Sequence, residues 1–247
     1  MKIISTLIST VATLALLSSV SVAENAHWGY TGHGSPEKWA ELSPDNKMCG
    51  VGKTQTPINI TTSLDADLEP LKISYTKGSK EILNNGHTVQ VNIEAGNTMD
   101  VEGLSFELKQ FHFHTPSENH IDGKSFPLEA HFVHIDKKGN IAVLALMFEE
   151  GKENKQLAKI WENMPKNADE KSQLKLANIA SSLLPENKEY YRFQGSFTTP
   201  PCTEGVRWMV LKTPVTVSKA QVEKFLNVMH HPNNRPIQAT NARVIVK

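Results

Sequence analysis

Three histidines in two short runs of alternating sequence are the residues of this 247-residue chain best suited to chemistry. His112 and His114 lie in one run, and His131 lies in the other, two residues after Glu129. Because side chains alternate between the two faces of a strand, His112 and His114 share a face, as do Glu129 and His131. If the two strands are neighbours, three imidazoles converge and leave the fourth position of a tetrahedral zinc ion open. That arrangement is typical of a catalytic zinc site.

The alternative to a metal site is a half-buried pair of histidines with no ligand. Phe111 and Phe113 occupy the opposite face of the first run, which indicates a strand with one face in the core. Gln110 and Glu129 share the histidine faces, where their oxygen atoms can accept the remaining N–H of a metal-bound imidazole. The alternative for Glu129 is a solvated surface carboxylate, but its position on the face of His131 favours the metal site.

The elements that must position these residues are mostly strands. Short stretches with a period of two, such as 88–93 and 141–148, are rich in Val, Ile and Phe, and Gly, Asn and Asp separate them. Two stretches, 157–164 and 222–229, have apolar residues at helical spacing. The pattern predicts a single β-dominated α+β domain with a few short helices.

The N-terminus has the features of a secretory signal peptide. Lys2 precedes an apolar stretch from 3 to 20, and small residues lead to Ala23, the predicted cleavage site. The alternative is a membrane anchor, which the Ser and Thr content and the cleavage site disfavour. We expect removal of residues 1–23, a single domain over 24–247, and export to the periplasm or full secretion.

Composition and cysteine content narrow the function classes further. The formal net charge is zero at pH 7, and no basic stripe or polybasic segment indicates a nucleic-acid partner or a membrane surface for the mature chain. The chain has two cysteines, Cys49 and Cys202. In an exported protein such a pair predicts a disulfide bond, the alternative being two buried free thiols.

The ordered motifs of the chain closely resemble those of the α-class carbonic anhydrases. The matching segments follow the family's order and cover nearly all of the mature chain; they are His27–Tyr30, Leu83–His87, Gln110–His114, Ser117–His120, Glu129–His134, Phe197–Pro201 and Asn234–Pro236. The resemblance implies a large, twisted, mostly antiparallel central sheet with zinc at the base of a conical cleft. The implied reaction is the reversible hydration of CO2 to bicarbonate and a proton by zinc-bound hydroxide.

The same resemblance implies hydrogen-bond acceptors for the three ligands. Gln110 would accept from His112, Glu129 from His131, and the backbone carbonyl of Asn234 from His114.

It also implies the residues that carry the reaction. Thr198, whose hydroxyl proton is committed to Glu118, would orient the nucleophile, and Thr199 would contact bicarbonate. His87 would carry the proton towards bulk solvent, since the ordinary pKa of histidine suits that task. Three residues would hold the water molecules between zinc and His87: Tyr30, Asn85 and Gln90. Five apolar residues are candidates for the wall beside which CO2 is held, the alternative being plain core, above all for Val143: Val133, Val143, Phe197, Val206 and Trp208. Phe197 departs from the leucine that is usual in the family.

A non-catalytic, carbonic-anhydrase-like binding module is the second function class, and a periplasmic zinc carrier is a weaker third. Binding modules of this kind lack one or more histidines, whereas here all three are present together with Thr198 and Glu118. That set favours the enzyme. The resemblance further implies inhibition by sulfonamides and anions, and a homodimer, since bacterial relatives are often dimers.

Overall fold

A large mixed sheet dominates the computed structural model, which describes residues 27–247. The predicted signal peptide therefore lies outside the described residues. The strands are β1 (Asn59–Ile60), β2 (Lys72–Ser74), β3 (Ser79–Asn84), β4 (Val89–Ile93), β5 (Thr98–Val101), β6 (Leu104–His114), β7 (His120–Ile121), β8 (Leu128–Ile135), β9 (Ile141–Glu150), β10 (Lys171–Gln173), β11 (Tyr190–Ser196), β12 (Glu204–Leu211) and β13 (Val215–Val217). The α-helices are α1 (Trp39–Leu42), α2 (Met48–Val51), α3 (Lys155–Trp161), α4 (Ile179–Leu183) and α5 (Lys219–Met229). Short 3-10 turns occupy Gly32–Gly34, Pro36–Lys38 and Pro44–Lys47.

Eleven of these strands form one sheet, with a central order of β10-β3-β4-β6-β8-β9-β12-β11. Strand β5 pairs with β6 and β2, and β13 pairs with β9. All pairs in this sheet are antiparallel except β9 with β12 and β9 with β13. The prediction of a single domain built on a mostly antiparallel sheet with few short helices is confirmed.

Helices α3 and α5 cover one face of the sheet. Asn154 caps α3, and Ser218 and Gln221 form a capping box at the start of α5, which satisfies backbone N–H groups that have no partner within the helix. The Trp161 ring lies 4.8 Å from the Phe113 ring and 5.5 Å from the Phe225 ring, measured between centroids. The helices therefore bury the phenylalanine face of β6 and leave its histidine face free.

The two faces of the sheet carry two separate apolar clusters. The larger one contains the phenylalanines of β6 and β8 together with the buried faces of the helices. The smaller one surrounds Val143 and Trp208 and includes Phe193. The histidine face of β6 and β8 belongs to this second side, because Val133 and Phe197 pack against the smaller cluster.

A disulfide bond joins Cys49 to Cys202 across 153 residues, with the two Cα atoms 5.0 Å apart. The predicted bridge is thus confirmed, and its presence is consistent with an exported protein. Within residues 27–247, no helix combines the length and apolar character that a membrane span requires.

Candidate active site

Strand register brings the three histidines together. His112 of β6 lies directly opposite His131 of β8, and His114 lies opposite Glu129. Each histidine offers one nitrogen to a common point, and these three atoms lie within 4.8 Å of one another. His114 and His131 are buried and His112 is partly buried, so the cluster sits at the bottom of a cavity rather than on the surface.

Hydrogen bonds to the outer nitrogens determine which atoms remain for a ligand. The Nδ1–H of His112 donates to the Gln110 side chain at 2.8 Å, and the Nε2–H of His131 donates to the Glu129 carboxylate at 2.8 Å. Both predicted contacts are present. Because an amide oxygen and a carboxylate can only accept, these bonds leave Nε2 of His112 and Nδ1 of His131 as free acceptors.

The third contact differs from the prediction by one residue. The Nδ1–H of His114 donates to the backbone carbonyl of Asn233, not of Asn234, at 2.7 Å. The Asn233 side chain explains this, because it accepts from the Thr115 N–H and donates to the Phe113 carbonyl. These bonds fix Asn233 against the end of β6, with its own carbonyl at the His114 ring.

Burial keeps all three imidazoles neutral. It lowers the pKa of His112 and of His131 well below the ordinary value; His114 adds to this effect on both, and His131 adds to it on His112. Burial also lowers the pKa of His114, partly offset by the hydrogen bond to Asn233. Neutral imidazole is the form that binds a metal, so little competition from protons is expected near pH 7.

Glu129 also holds the loop that carries Glu118. Its carboxylate accepts hydrogen bonds from the Glu118 N–H at 2.7 Å and from the Asn119 N–H and side chain at 2.8 Å. Sequence reasoning missed Asn119, although its place directly after Glu118 in a matching segment was the available signal. The alternative of a solvated Glu129 is excluded, since this side chain is fully buried.

Glu118 is buried beneath the histidines, with one carboxylate oxygen bonded and one free. Oε1 accepts from the Arg235 backbone N–H at 2.8 Å, whereas Oε2 has no hydrogen-bond partner within normal distance and angle. Burial raises the pKa of Glu118 well above its usual range, against smaller lowering effects of Arg235 and the Thr198 side chain. Arg235 was also missed, though it lies within the matching segment Asn234–Pro236; its guanidinium donates to Gln55 and to the carbonyls of Thr56 and Cys49.

The disulfide anchors the loop that presents Thr198 and Thr199. The Cys202 N–H donates to the Thr199 carbonyl at 2.9 Å, and the Phe197 N–H donates to the Thr203 carbonyl at 3.0 Å. Thr198 is 5 % exposed and lines the cavity together with Thr199. The bridge at Cys202 therefore limits how far these two threonines can move from the histidines.

The cavity has a volume of about 200 Å³ and divides into a polar and an apolar side. One row of residues in register across β8, β9 and β12 forms most of the apolar wall, since Val133 pairs with Val143 and Val143 with Trp208. Phe197 completes it. Predicted polar residues that also line the cavity are Tyr30, Asn85, His87, Gln90 and Gln110.

Val206 is the exception among the predicted wall residues. It is 2 % exposed within the smaller apolar cluster and is not among the residues that line the cavity. Val206 lies on the same face of β12 as Trp208, but it is two residues earlier, about 7 Å along the strand. The wall ends at Trp208.

His87 lies at the mouth of the cavity and packs flat on Trp28. Sequence reasoning assigned no role to Trp28. The two rings are 3.6 Å apart between centroids and 9° from parallel, and His27 stacks at 5.2 Å from His87. Burial, followed by the nearby His27 and His231, lowers the pKa of His87 to about 4, while Asp169 acts in the opposite direction.

The residues at the base of the cavity fit a zinc ion. Nε2 of His114 is buried and has no hydrogen-bond partner, an expensive arrangement for a polar atom unless a ligand binds there. Three neutral imidazoles, each oriented by an outer hydrogen bond, are a donor set that zinc favours. The site is that of a metal with one position left for a reactant.

Comparison with known proteins decides the family. The model of the eukaryotic-type carbonic anhydrase family matches residues 34–247. The chain belongs to the α-class carbonic anhydrases. A carbonic anhydrase from Pectobacterium carotovorum is 50 % identical over 233 residues, which cover 94 % of this chain and 96 % of that protein. One from Neisseria gonorrhoeae is 50 % identical over 231 residues, covering 93 % and 91 %.

Solved structures show the same relationship. The α-carbonic anhydrase from Thermovibrio ammonificans, solved with the inhibitor sulfanilamide, has a TM-score of 0.88 and 50 % identity, and the match covers 91 % of this chain and all of that chain. As an α-carbonic anhydrase, the protein is a zinc lyase that hydrates CO2 reversibly to bicarbonate and a proton.

Proposed function

We propose that hydration takes place between the three histidines and the Val133–Val143–Trp208 wall, with Thr198 and Glu118 orienting the nucleophile. The convergence of three free imidazole nitrogens in the cavity that Thr198 also lines is the observation that carries this proposal. The zinc ion, when bound, supplies a nucleophile at neutral pH by acidifying water, as is well established for carbonic anhydrases. The surrounding side chains hold CO2, orient the attack and carry the proton away.

The apolar wall is the site proposed for CO2. The substrate carries no net charge and offers little to a hydrogen-bond donor, so a dry surface beside the nucleophile suits it. Val133, Val143 and Trp208 provide that surface on a rigid sheet, and Phe197 adds a ring from the threonine loop. On the polar side, Thr199 is proposed to contact the bicarbonate product.

Thr198 and Glu118 are proposed to set the direction of attack. The free Oε2 of Glu118 is the acceptor available to the Thr198 hydroxyl, because Oε1 is already bonded to Arg235. Once its proton is committed to Glu118, the Thr198 oxygen can only accept a hydrogen bond from the nucleophile, which then presents a lone pair to CO2. A cation at the histidines favours the ionised form of Glu118 that this arrangement needs.

His87 is proposed to carry the proton from the cavity to buffer, with Tyr30, Asn85 and Gln90 holding the water molecules between. The Tyr30 hydroxyl is buried without a protein partner, and the Asn85 side chain accepts from the His87 and Thr88 N–H groups, which fixes the turn that bears His87. Burial where it packs on Trp28 lowers the pKa of His87 to about 4, which favours the neutral ring that can accept a proton from the cavity.

Thr198→Ala tests the proposal by stopped-flow CO2 hydration on the zinc-loaded protein. We expect kcat/KM to fall about a hundredfold, the size of loss seen when one preorganised hydrogen-bonding group is removed from an active site. Thr198→Ser keeps the hydroxyl and is the matched control, expected to stay within a few-fold of wild type. Equal losses in both variants contradict the orientation role. No rate in the wild type with zinc bound would overturn catalysis itself and leave a binding module.

Inhibitor binding and export extend the proposal. The relative that was solved with sulfanilamide supports inhibition of this chain by sulfonamides, and simple anions are proposed to act at the same position. We also propose cleavage after Ala23, delivery to the periplasm or the medium, and a homodimer. N-terminal sequencing of the exported protein should begin at Glu24, and light scattering should give twice the mass of residues 24–247.

A further inference from the structure

His87 packs against Trp28 in surroundings that do not favour the protonated ring, although the proposed shuttle role requires the ring to carry a proton. The flat contact with Trp28 and the adjacent His27 bury the ring in a setting that favours neutral imidazole. A proton that reaches His87 from water in the cavity converts it to a cation, and a cation gains most where solvent and negative charge are available. The surroundings of His87 should therefore contain a feature that stabilises the charged ring.

Three titratable groups face His87, from three different segments. His27 approaches from the N-terminal segment, and His231 from the segment that follows α5; both disfavour a positive charge on His87. Asp169, in the loop between α3 and β10, is the group that favours it. Asp169 is exposed to solvent.

Backbone hydrogen bonds hold the Asp169 loop beside the turn that carries His87. The Asp169 N–H donates to the Asn84 carbonyl at 2.8 Å, and the Asn84 N–H donates to the Glu170 carbonyl at 2.9 Å. The Asn84 side chain in turn accepts from the Gly86 N–H. Ala168 lies close by, since its methyl group is 3.6 Å from where a Cβ on Gly86 would stand.

Asp169 adopts a left-handed backbone conformation, with φ of 64°. Few residues other than glycine take this conformation, and Asn and Asp are among those that do so most readily. The two hydrogen bonds to Asn84 on either side hold the residue there. The loop that carries the Asp169 carboxylate is therefore held beside the His87 turn by backbone hydrogen bonds.

We propose that Asp169 is a positioning residue for proton transfer, whose carboxylate stabilises the protonated His87 ring at the cavity mouth. The proton moves from water in the cavity to a ring nitrogen of neutral His87, and from there to a buffer base, so that His87 returns to its neutral form. This inference rests on the proposed shuttle role of His87.

Asp169→Asn tests the proposal, because asparagine also tolerates the left-handed backbone and removes only the charge. In weak buffer at low ionic strength we expect kcat for CO2 hydration to fall about two- to fivefold, the range that fits an exposed charge pair, with kcat/KM unchanged. The loss should shrink in about 0.5 M salt, because screening weakens an interaction between exposed charges. Saturating imidazole buffer should restore kcat, since it takes the proton directly.

Glu170→Gln is the matched control, since it removes the same charge one residue away, where the carboxylate bonds to Asn167. We expect this variant to match wild type. The double variant His87→Ala with Asp169→Asn should have the same kcat in weak buffer as His87→Ala alone. A purely structural role of Asp169 would instead lower kcat/KM and persist in imidazole.

The outcomes separate this proposal from the shuttle role on which it rests. If His87→Ala keeps full kcat in weak buffer, the shuttle assignment fails. If His87→Ala loses kcat but Asp169→Asn does not, or if Glu170→Gln loses as much, only the role of Asp169 is overturned.

Discussion

Strand β8 carries two buried histidines, His131 and His134, which differ in how many ring nitrogens the protein itself satisfies. His131 uses Nε2 alone, with Glu129, and its Nδ1 faces the other two histidines. His134 uses both: Nδ1–H donates to the Ala142 carbonyl at 3.2 Å, and Nε2 accepts from the Tyr75 hydroxyl at 2.6 Å. Three residues apart, the rings point to opposite faces of the sheet.

The difference distinguishes a ligand from a packing residue. Both rings are buried, and burial lowers the pKa of both. Burial and a low pKa therefore do not mark a metal site. A metal site is indicated when a buried ring nitrogen has no hydrogen-bond partner in the protein and two similar nitrogens lie beside it.

His131→Ala should give the largest effect. Two imidazoles cannot hold zinc in the geometry of three, so we expect loss of zinc after mild dialysis and loss of CO2 hydration with it. Metal analysis and stopped-flow assays check both. His134→Leu is the control on the same strand and should keep full zinc content. A His131 variant that kept its zinc would contradict the assignment of His131 as a metal ligand.

Acid should destabilise the protein in part through His134. In the unfolded chain this imidazole takes up a proton near its ordinary pKa of 6.5, whereas burial lowers the pKa to about 4 in the folded protein. Between these values the unfolded state binds more protons, so stability present above pH 6.5 is lost as the pH falls to 4. The shift corresponds to about 3 kcal/mol.

Urea unfolding of wild type and His134→Leu at pH 7, 5.5 and 4 isolates this contribution, because the zinc ligands are common to both proteins. The free energy of unfolding should fall more steeply with acid in the wild type. Parallel curves for the two proteins would contradict the assignment.

At pH 7, His134→Leu should lower the free energy of unfolding by about 2 kcal/mol, since it leaves the buried Tyr75 hydroxyl without a partner. Removing both polar groups, in the double variant with Tyr75→Phe, should recover most of that loss. Urea unfolding of the single and double variants measures the coupling. No recovery would mean that the hydrogen bond is not the reason for the loss.

Gln110→Ala should have the smallest effect. It removes the acceptor that orients His112, and such outer contacts typically change metal affinity by about tenfold or more. Competition with a chelator measures the zinc affinity. Gln110→Glu retains an acceptor oxygen and should bind zinc at least as tightly as wild type; equal weakening in both variants would point to altered packing instead.

Local periodicity made the metal ligands predictable from sequence. Site residues in irregular segments, which have no periodicity, were harder to predict. Alternation along β6 places His112 and His114 on one face, and alternation along β8 places His131 with Glu129; the pairing of the two strands then brings the three histidines together. The acceptor for His114 lies in an irregular segment, where no period indicates which carbonyl turns inward, and the prediction was one residue away at Asn234.

Contacts between distant segments were beyond sequence reasoning. Trp28 stacks on His87, and the Asp169 loop is bonded to Asn84 near the His87 turn, only because the whole chain is folded. The parallel pairing of β9 with β12 likewise joins strands that are far apart in sequence. Tethering of the threonine loop could be inferred, since the two cysteines allow a single intramolecular bridge.

The opposition of His112 and His131 makes zinc uptake a reporter of folding. A slip of β8 by one residue against β6 would turn His131 to the phenylalanine face and divide the site between two sides of the sheet. A refolding chain can therefore acquire tightly held zinc only after these central strands have paired in their native alignment. Following zinc capture in time, with a coloured competing chelator, would reveal when that alignment is reached without any label on the protein.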